Sequence, residues 1–219
     1  MKLKRISWLA ALLLCLPLAA QEQTRGGIPA DVYYLMPSFG QGMIYFRGQL
    51  PAQGQLNICA LDQTLRFLDK NGKELAASNM ENILKVQIDT VSFLRFEDAF
   101  YRLYPVAADM GVAVMREVKI QANVKQGAYG TTSQTSAIKE RSTMYVDGAV
   151  YNLTDDKPVA YETSEWLYLY KADEIFTLNK KNLKKLFPAR KDQIDAYFKA
   201  GNKVPVTLPE AVTLLRMWE

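Results

Sequence analysis

Between Met43 and Leu178 the apolar residues recur mostly at every second position, in short runs divided by polar pairs; after Asn179 they recur at every third or fourth. The first rhythm belongs to half-buried strands and the second to amphipathic helices. Strands are predicted over Met43–Arg47, Gln55–Ala60, Thr64–Leu68 and Asn82–Asp89, where Leu84, Val86 and Ile88 share one face. Val91–Phe96 and Ala99–Tyr104 read as a hairpin around Glu97-Asp98, and Val112–Gln121 as a long strand. Further strands are predicted over Ser142–Asp147, Val150–Leu153, Ala160–Thr163, Trp166–Tyr170 and Glu174–Leu178. Asn71-Gly72 and Asp147-Gly148 carry the strongest short-range turn signals, because both residue types tolerate the positive φ of a tight hairpin. Upstream, residues 21–41 carry Gly and Pro at short intervals and read as an extended leader with one short strand at Val32–Leu35. Residues 123–136 have no hydrophobic period, and a flexible loop is expected over about 123–141.

The helical rhythm begins at Asn179, a capping residue type, and the first helix should end near Phe187, just before Pro188. Pro188 suits the first turn of a second helix, in which Ile194, Tyr197 and Phe198 make one stripe and Gly201 is the stop. Thr207-Leu-Pro-Glu210 is a capping-box pattern for a third helix, with Val212, Leu215 and Trp218 on one face. The expected fold is α+β but mainly β: an antiparallel sheet, sandwich or roll of roughly ten strands over residues 42–178. Two or three short helices over residues 179–219 close it.

The N-terminus alters the reading of charge. Lys2, Lys4 and Arg5 precede an apolar stretch from Ile6 to Leu18, then Ala19, Ala20 and a polar run. This is the layout of a secretory signal peptide over residues 1–20, with cleavage after Ala20. A lipid anchor on Cys15 fits less well, since Leu14 stands where a small residue is required. Removing 20 residues from 219 leaves 199, and Lys plus Arg fall from 27 to 24 against 23 acidic residues. The net charge drops from +4 to +1, which removes the whole-protein case for nucleic acid. No later segment is apolar and long enough to span a bilayer as a helix. Cys15 departs with the signal, so Cys59 stands alone and no internal disulfide can form. The chain has no histidine, which excludes Ser-His and Cys-His arrangements and the commonest zinc ligand.

Four features together resemble a family of exported Bacteroidota proteins of unknown function. They are Gln21 directly after the signal, the entry "GMIYFRGQLPAQGQLN", the hairpin "LDKNGKEL" and the tail "LNKKNLKKLFPARKDQIDAYFK". The resemblance implies export and a β-rich body followed by a Lys-rich helical tail. It implies no activity and no catalytic residues.

The short motifs have ordinary explanations. Ser136-Ala-Ile-Lys139 fits Ser-x-x-Lys, but the companion Ser-x-Asn and Lys-Thr-Gly elements of that chemistry are missing. Cys59, between Ile58 and Ala60, reads as a buried core thiol. Gly40-Gln-Gly42, Gly127-Ala-Tyr-Gly130 and Asp155-Asp156 read as turns. Asn152-Leu-Thr154 matches the N-glycosylation pattern, which a bacterial envelope protein has little use for. Asp89-Thr90-Val91 resembles the O-glycosylation acceptor of exported Bacteroidota proteins and makes Thr90 a candidate modification site. The aromatic run Ser92–Pro105 reads as core strand: Phe93, Leu94, Phe96, Phe100 and Leu103 inside, Tyr101 and Tyr104 partly exposed.

The stretch "NKKNLKKLFPARK" places Leu183, Leu186 and Phe187 on one side of a helix and Lys180, Lys181, Lys184 and Lys185 on the other. With Arg190 and Lys191 these form a candidate contact for an anionic surface or partner, diluted by Asp192 and Asp195. No catalytic residue, metal ligand or cofactor is expected. The sequence points to a periplasmic, outer-membrane-associated or extracellular protein, non-enzymatic, that binds or assembles with an envelope protein or polysaccharide. The alternative is a carbohydrate binder or a hydrolase built on two carboxylates from distant strands.

Overall fold

A computed structural model describes residues 24–25, 28–120 and 160–219. The signal peptide, the 123–141 loop, the strands predicted between 142 and 153, and the motifs at Gly127–Gly130, Ser136–Lys139, Asp147-Gly148, Asn152–Thr154 and Asp155-Asp156 lie outside these residues. In chain order the strands are β1 (Thr24–Arg25), β2 (Ile28–Pro29), β3 (Gly40–Phe46), β4 (Ala52–Ile58), β5 (Leu65–Leu68), β6 (Glu74–Ala76) and β7 (Ile83–Ile88). They continue with β8 (Val91–Phe96), β9 (Ala99–Pro105), β10 (Met110–Ile120), β11 (Tyr161–Lys171) and β12 (Glu174–Thr177). The helices are α1 (Ala30–Tyr33), α2 (Lys180–Leu186), α3 (Lys191–Lys199) and α4 (Leu208–Arg216).

β1 and β2 form a small ladder of their own, and the other strands make one ten-stranded sheet in the order β12-β11-β10-β9-β8-β7-β3-β4-β5-β6. Every pairing in it is antiparallel. Two meanders therefore run outward from the central β3–β7 pair. The fold is the mainly β architecture expected from the sequence, with three short helices at its C-terminal end. Among the described residues no helix is long and apolar enough to cross a membrane.

One face of the sheet carries the main core. Leu56, Ile58, Leu65, Val86, Ile88, Phe93 and Phe100 are fully buried on it. Farther along the same face, Val112, Val114 and Leu169 meet Leu183, Leu186, Phe187, Ile194, Leu214, Leu215 and Trp218 of the helical layer. The sheet also coils toward itself. Gln63, in the β4–β5 connection, accepts a hydrogen bond from Phe100 N (3.0 Å) and donates to Arg116 O (2.9 Å), so it reaches β9 and β10 across the roll.

Several local expectations are corrected. Val32–Leu35 is not a strand: α1 ends at Tyr33, and only Tyr34 bridges to Cys59. Val32, Tyr33 and Tyr34 are consecutive and all buried, which a helical turn permits and strand alternation forbids. In β7 the core takes Ile83 rather than Leu84, because a register shift between Tyr45 and Phe46 of β3 breaks the alternation. Ala160–Thr163 and Trp166–Tyr170 fall in one continuous strand, β11. Gly40 and Gly42 lie in β3, not in a turn; a Cβ at Gly42 would collide with Gln87 O of the neighbouring strand. The Asn71-Gly72 hairpin exists, but its loop runs Asp69–Lys73. There Asp69 Oδ1 accepts from Asn71 N and Lys73 N, both at 2.8 Å, and Gly72 supplies the positive φ of 76°. Tyr101 is buried instead of partly exposed, packed edge-on against Tyr168 with ring centroids 5.1 Å apart.

Candidate functional site

The basic helix α2 forms as its sequence predicts. Asn179 Oδ1 accepts from Asn182 N at 2.9 Å and caps the first turn, while Leu183 and Leu186 face the core. Its lysines are largely engaged within the molecule. Lys180 Nζ and Lys184 Nζ each stand 2.7 Å from the carboxylate of Asp195 on α3. These two hydrogen bonds, Lys180's the stronger in effect, hold Asp195 down to about 2 from its ordinary 3.8. Lys185 Nζ lies 4.6 Å from the ring centroid of Phe176. Lys181, Arg190 and Lys191 are exposed and make no ion pair among the described residues.

Cys59 is fully buried, and burial first, then the charge of Asp62, pushes its thiol up to about 11. Such a thiol is neutral at physiological pH and unsuited to nucleophilic work. Asn57, a fully buried polar residue, is satisfied: its Oδ1 accepts from Met36 N (3.1 Å) and Ile58 N (2.8 Å), and its Nδ2 donates to Met36 O (3.0 Å). It pins the segment before β3 to β4. Among the described residues no group of three Cys, Asp or Glu side chains is close enough to hold a metal ion.

Thr90 sits at the exposed tip of the β7–β8 turn, directly after Asp89, which adopts a φ of 50°.

Two open depressions stand out among the described residues. The larger, about 620 Å³, lies between α3, α4 and the chain joining them, with Tyr197, Val204, Pro205, Val206 and Met217 in its walls. The Glu210 carboxylate beside it belongs to the capping box with Thr207, so this depression offers chiefly apolar wall. The smaller, about 310 Å³, is a shallow groove on the sheet face opposite the core. It crosses β3, β4 and β7, with Gln41, Met43, Tyr45, Gln53, Gln87 and Asp89 lining it. The register explains the grouping: Met43 lies opposite Gln53 on one side and Gln87 on the other. Gln87 Nε2 donates to Asp89 O at 3.2 Å, while the exposed side-chain amides of Gln41 and Gln53 have no hydrogen-bond partner among the described residues. The Asp89 carboxylate lies against Gly40, in the space a Cβ there would need. Tyr45 keeps 37% of its surface exposed.

None of these groove residues is singled out by the sequence as a ligand contact, although Asp89 belongs to the motif at Thr90 and Met43 and Gln53 to the stretch that carries the family resemblance. A glutamine at alternate strand positions reads as ordinary solvent-facing polarity, and only the β3–β4–β7 pairing gathers the three amides. No protein-family model, no curated protein and no solved structure matches the chain.

Proposed function

We propose that the protein is an exported, non-enzymatic binding module of the cell envelope, and that it meets its partner through the bare face of the sheet. The observation that carries this reading is the open groove on β3, β4 and β7, where the exposed amides of Gln41 and Gln53 have no hydrogen-bond partner among the described residues and Gln87 uses one donor on Asp89 O. A group of amides left open at a formed depression offers both donors and acceptors to a ligand. The groove has one carboxylate at its edge, Asp89, whereas hydrolysis by a carboxylate pair needs two facing the scissile bond. Export rests on the signal-like N-terminus, and the envelope on the resemblance described above.

The test is recovery of the tagged protein from cross-linked native envelopes, washed at low and at high salt. A partner retained at both, and lost when Gln53 and Gln87 are changed to alanine, supports contact through the sheet. A partner lost at high salt and on Lys181→Glu would move the contact to the basic helix. Recovery of the protein alone overturns the binding-module reading.

A further inference from the structure

The geometry points to a neutral carbohydrate as the ligand of the β3–β4–β7 groove. This inference rests on the binding-module reading and names the ligand class for its site. Three glutamines, Gln41, Gln53 and Gln87, surround Met43 and the exposed ring of Tyr45. A primary amide carries two donors and one acceptor in a fixed plane, which matches a sugar hydroxyl that donates and accepts at once. An exposed tyrosine ring beside a thioether gives an apolar surface of the size a pyranose ring presents on its C–H face. Charge argues against an ionic ligand. The groove has no cationic lining residue, and its one anionic residue, Asp89, turns its carboxylate toward Gly40. Within the lining an acidic sugar or a phosphate would meet no counter-charge, Lys85 standing outside it at the register position opposite Tyr45, and a cationic ligand would meet a single carboxylate at the rim.

Shape agrees with this class. The groove, about 310 Å³, is at the low end of small-ligand sites, which span roughly 300–1,000 Å³. It is shallow and open to solvent, so it suits one or two units within a longer chain. The strands below pack closely: Gly42 lies against Gln87 O and Leu56 with no room for a side chain. The amides are thus held on a closely packed platform, which reduces the ordering cost of a weak ligand. Modest affinity, of about millimolar order per site, is expected from so open a surface.

The experiment is two-dimensional NMR of the purified protein titrated with neutral hexasaccharides (gluco-, xylo- and manno-configured) and, separately, with an oligogalacturonate, at low and high salt. The expected result is a shift of the Gln41, Gln53 and Gln87 side-chain amide signals with at least one neutral sugar, insensitive to salt. Gln53→Ala and Gln87→Ala should each weaken it by about tenfold, with an unchanged thermal midpoint. Tyr45→Ala should weaken it too, and Lys181→Glu should leave it unaltered. Binding of the oligogalacturonate alone, falling with salt, overturns the neutral class and leaves the binding-module reading in place. Sugar-induced shifts confined to other residues overturn the site. If no sugar binds, yet envelope capture still depends on Gln53 and Gln87, the occupant is a protein and the carbohydrate inference fails alone. If neither occurs, both readings fail.

Discussion

The basic face of α2 and the amide groove on the sheet are opposites. The helix advertises itself in the sequence, with four lysines in six residues, yet Lys180 and Lys184 close on Asp195 and Lys185 covers Phe176. The groove carries no charge run in the sequence, yet two of its three amides find no partner among the described residues. A run of like charge is seldom left uncompensated in a packed structure, because a carboxylate on the next helix lowers its self-repulsion. A neutral amide at an exposed strand position exerts no such pull, and Gln41 and Gln53 are left to solvent. Availability for a ligand therefore follows from what folding leaves unmatched, and charge density is a poor guide to it.

The comparison can be broken most forcefully at the helix's apolar side. Leu183 is fully buried beneath the helical layer, and Leu183→Ala should cost about 2–5 kcal/mol, read as a fall in the denaturation midpoint. If reversing the exposed Lys181 cost as much, the basic face would be the structural one. On the sheet side, Asn57→Ala strips the bonds that tie Met36 to β4 and should cost about 1–3 kcal/mol, with faster amide exchange at Met36 as its local mark.

Acid sharpens the contrast from the helical end. The folded pKa of Asp195 is depressed, so its contribution to stability is complete above 3.8 and is lost as pH falls toward about 2. Because the carboxylate is half-exposed, the effect is small and salt-sensitive. Carbon NMR of the Asp195 carboxyl should follow this titration, and Asp195→Asn should remove the acid-dependent loosening between α2 and α3. An unshifted titration would mean that the lysines are free for other partners.

The smallest expected effect is on the groove itself. Gln53→Ala and Gln87→Ala should change stability by no more than about 0.5 kcal/mol, as for other surface sites. Their melting curves should overlay that of the unaltered protein. A large loss would make these amides part of the fold and not of a contact surface.

What the sequence determined is what local chemistry can dictate. Asn179 caps α2, Thr207 and Glu210 form their capping box, and Glu97-Asp98 turns β8 into β9, each within a few residues of chain. Alternation and helical periodicity were likewise enough for the sheet-then-helices order, since burying one face is the same problem at every strand. Tertiary structure decided what depends on distant partners. Ile83 entered the core in place of Leu84 because of an irregularity on the neighbouring strand β3, and Tyr101 was buried by Tyr168 across β10. Lys180 and Lys184 lost their independence to Asp195, a residue of another helix. Gln41, Gln53 and Gln87 became one surface only because β3 lies between β4 and β7. Strand order is set by long-range pairing and core closure, and neither leaves a mark on a glutamine that faces water.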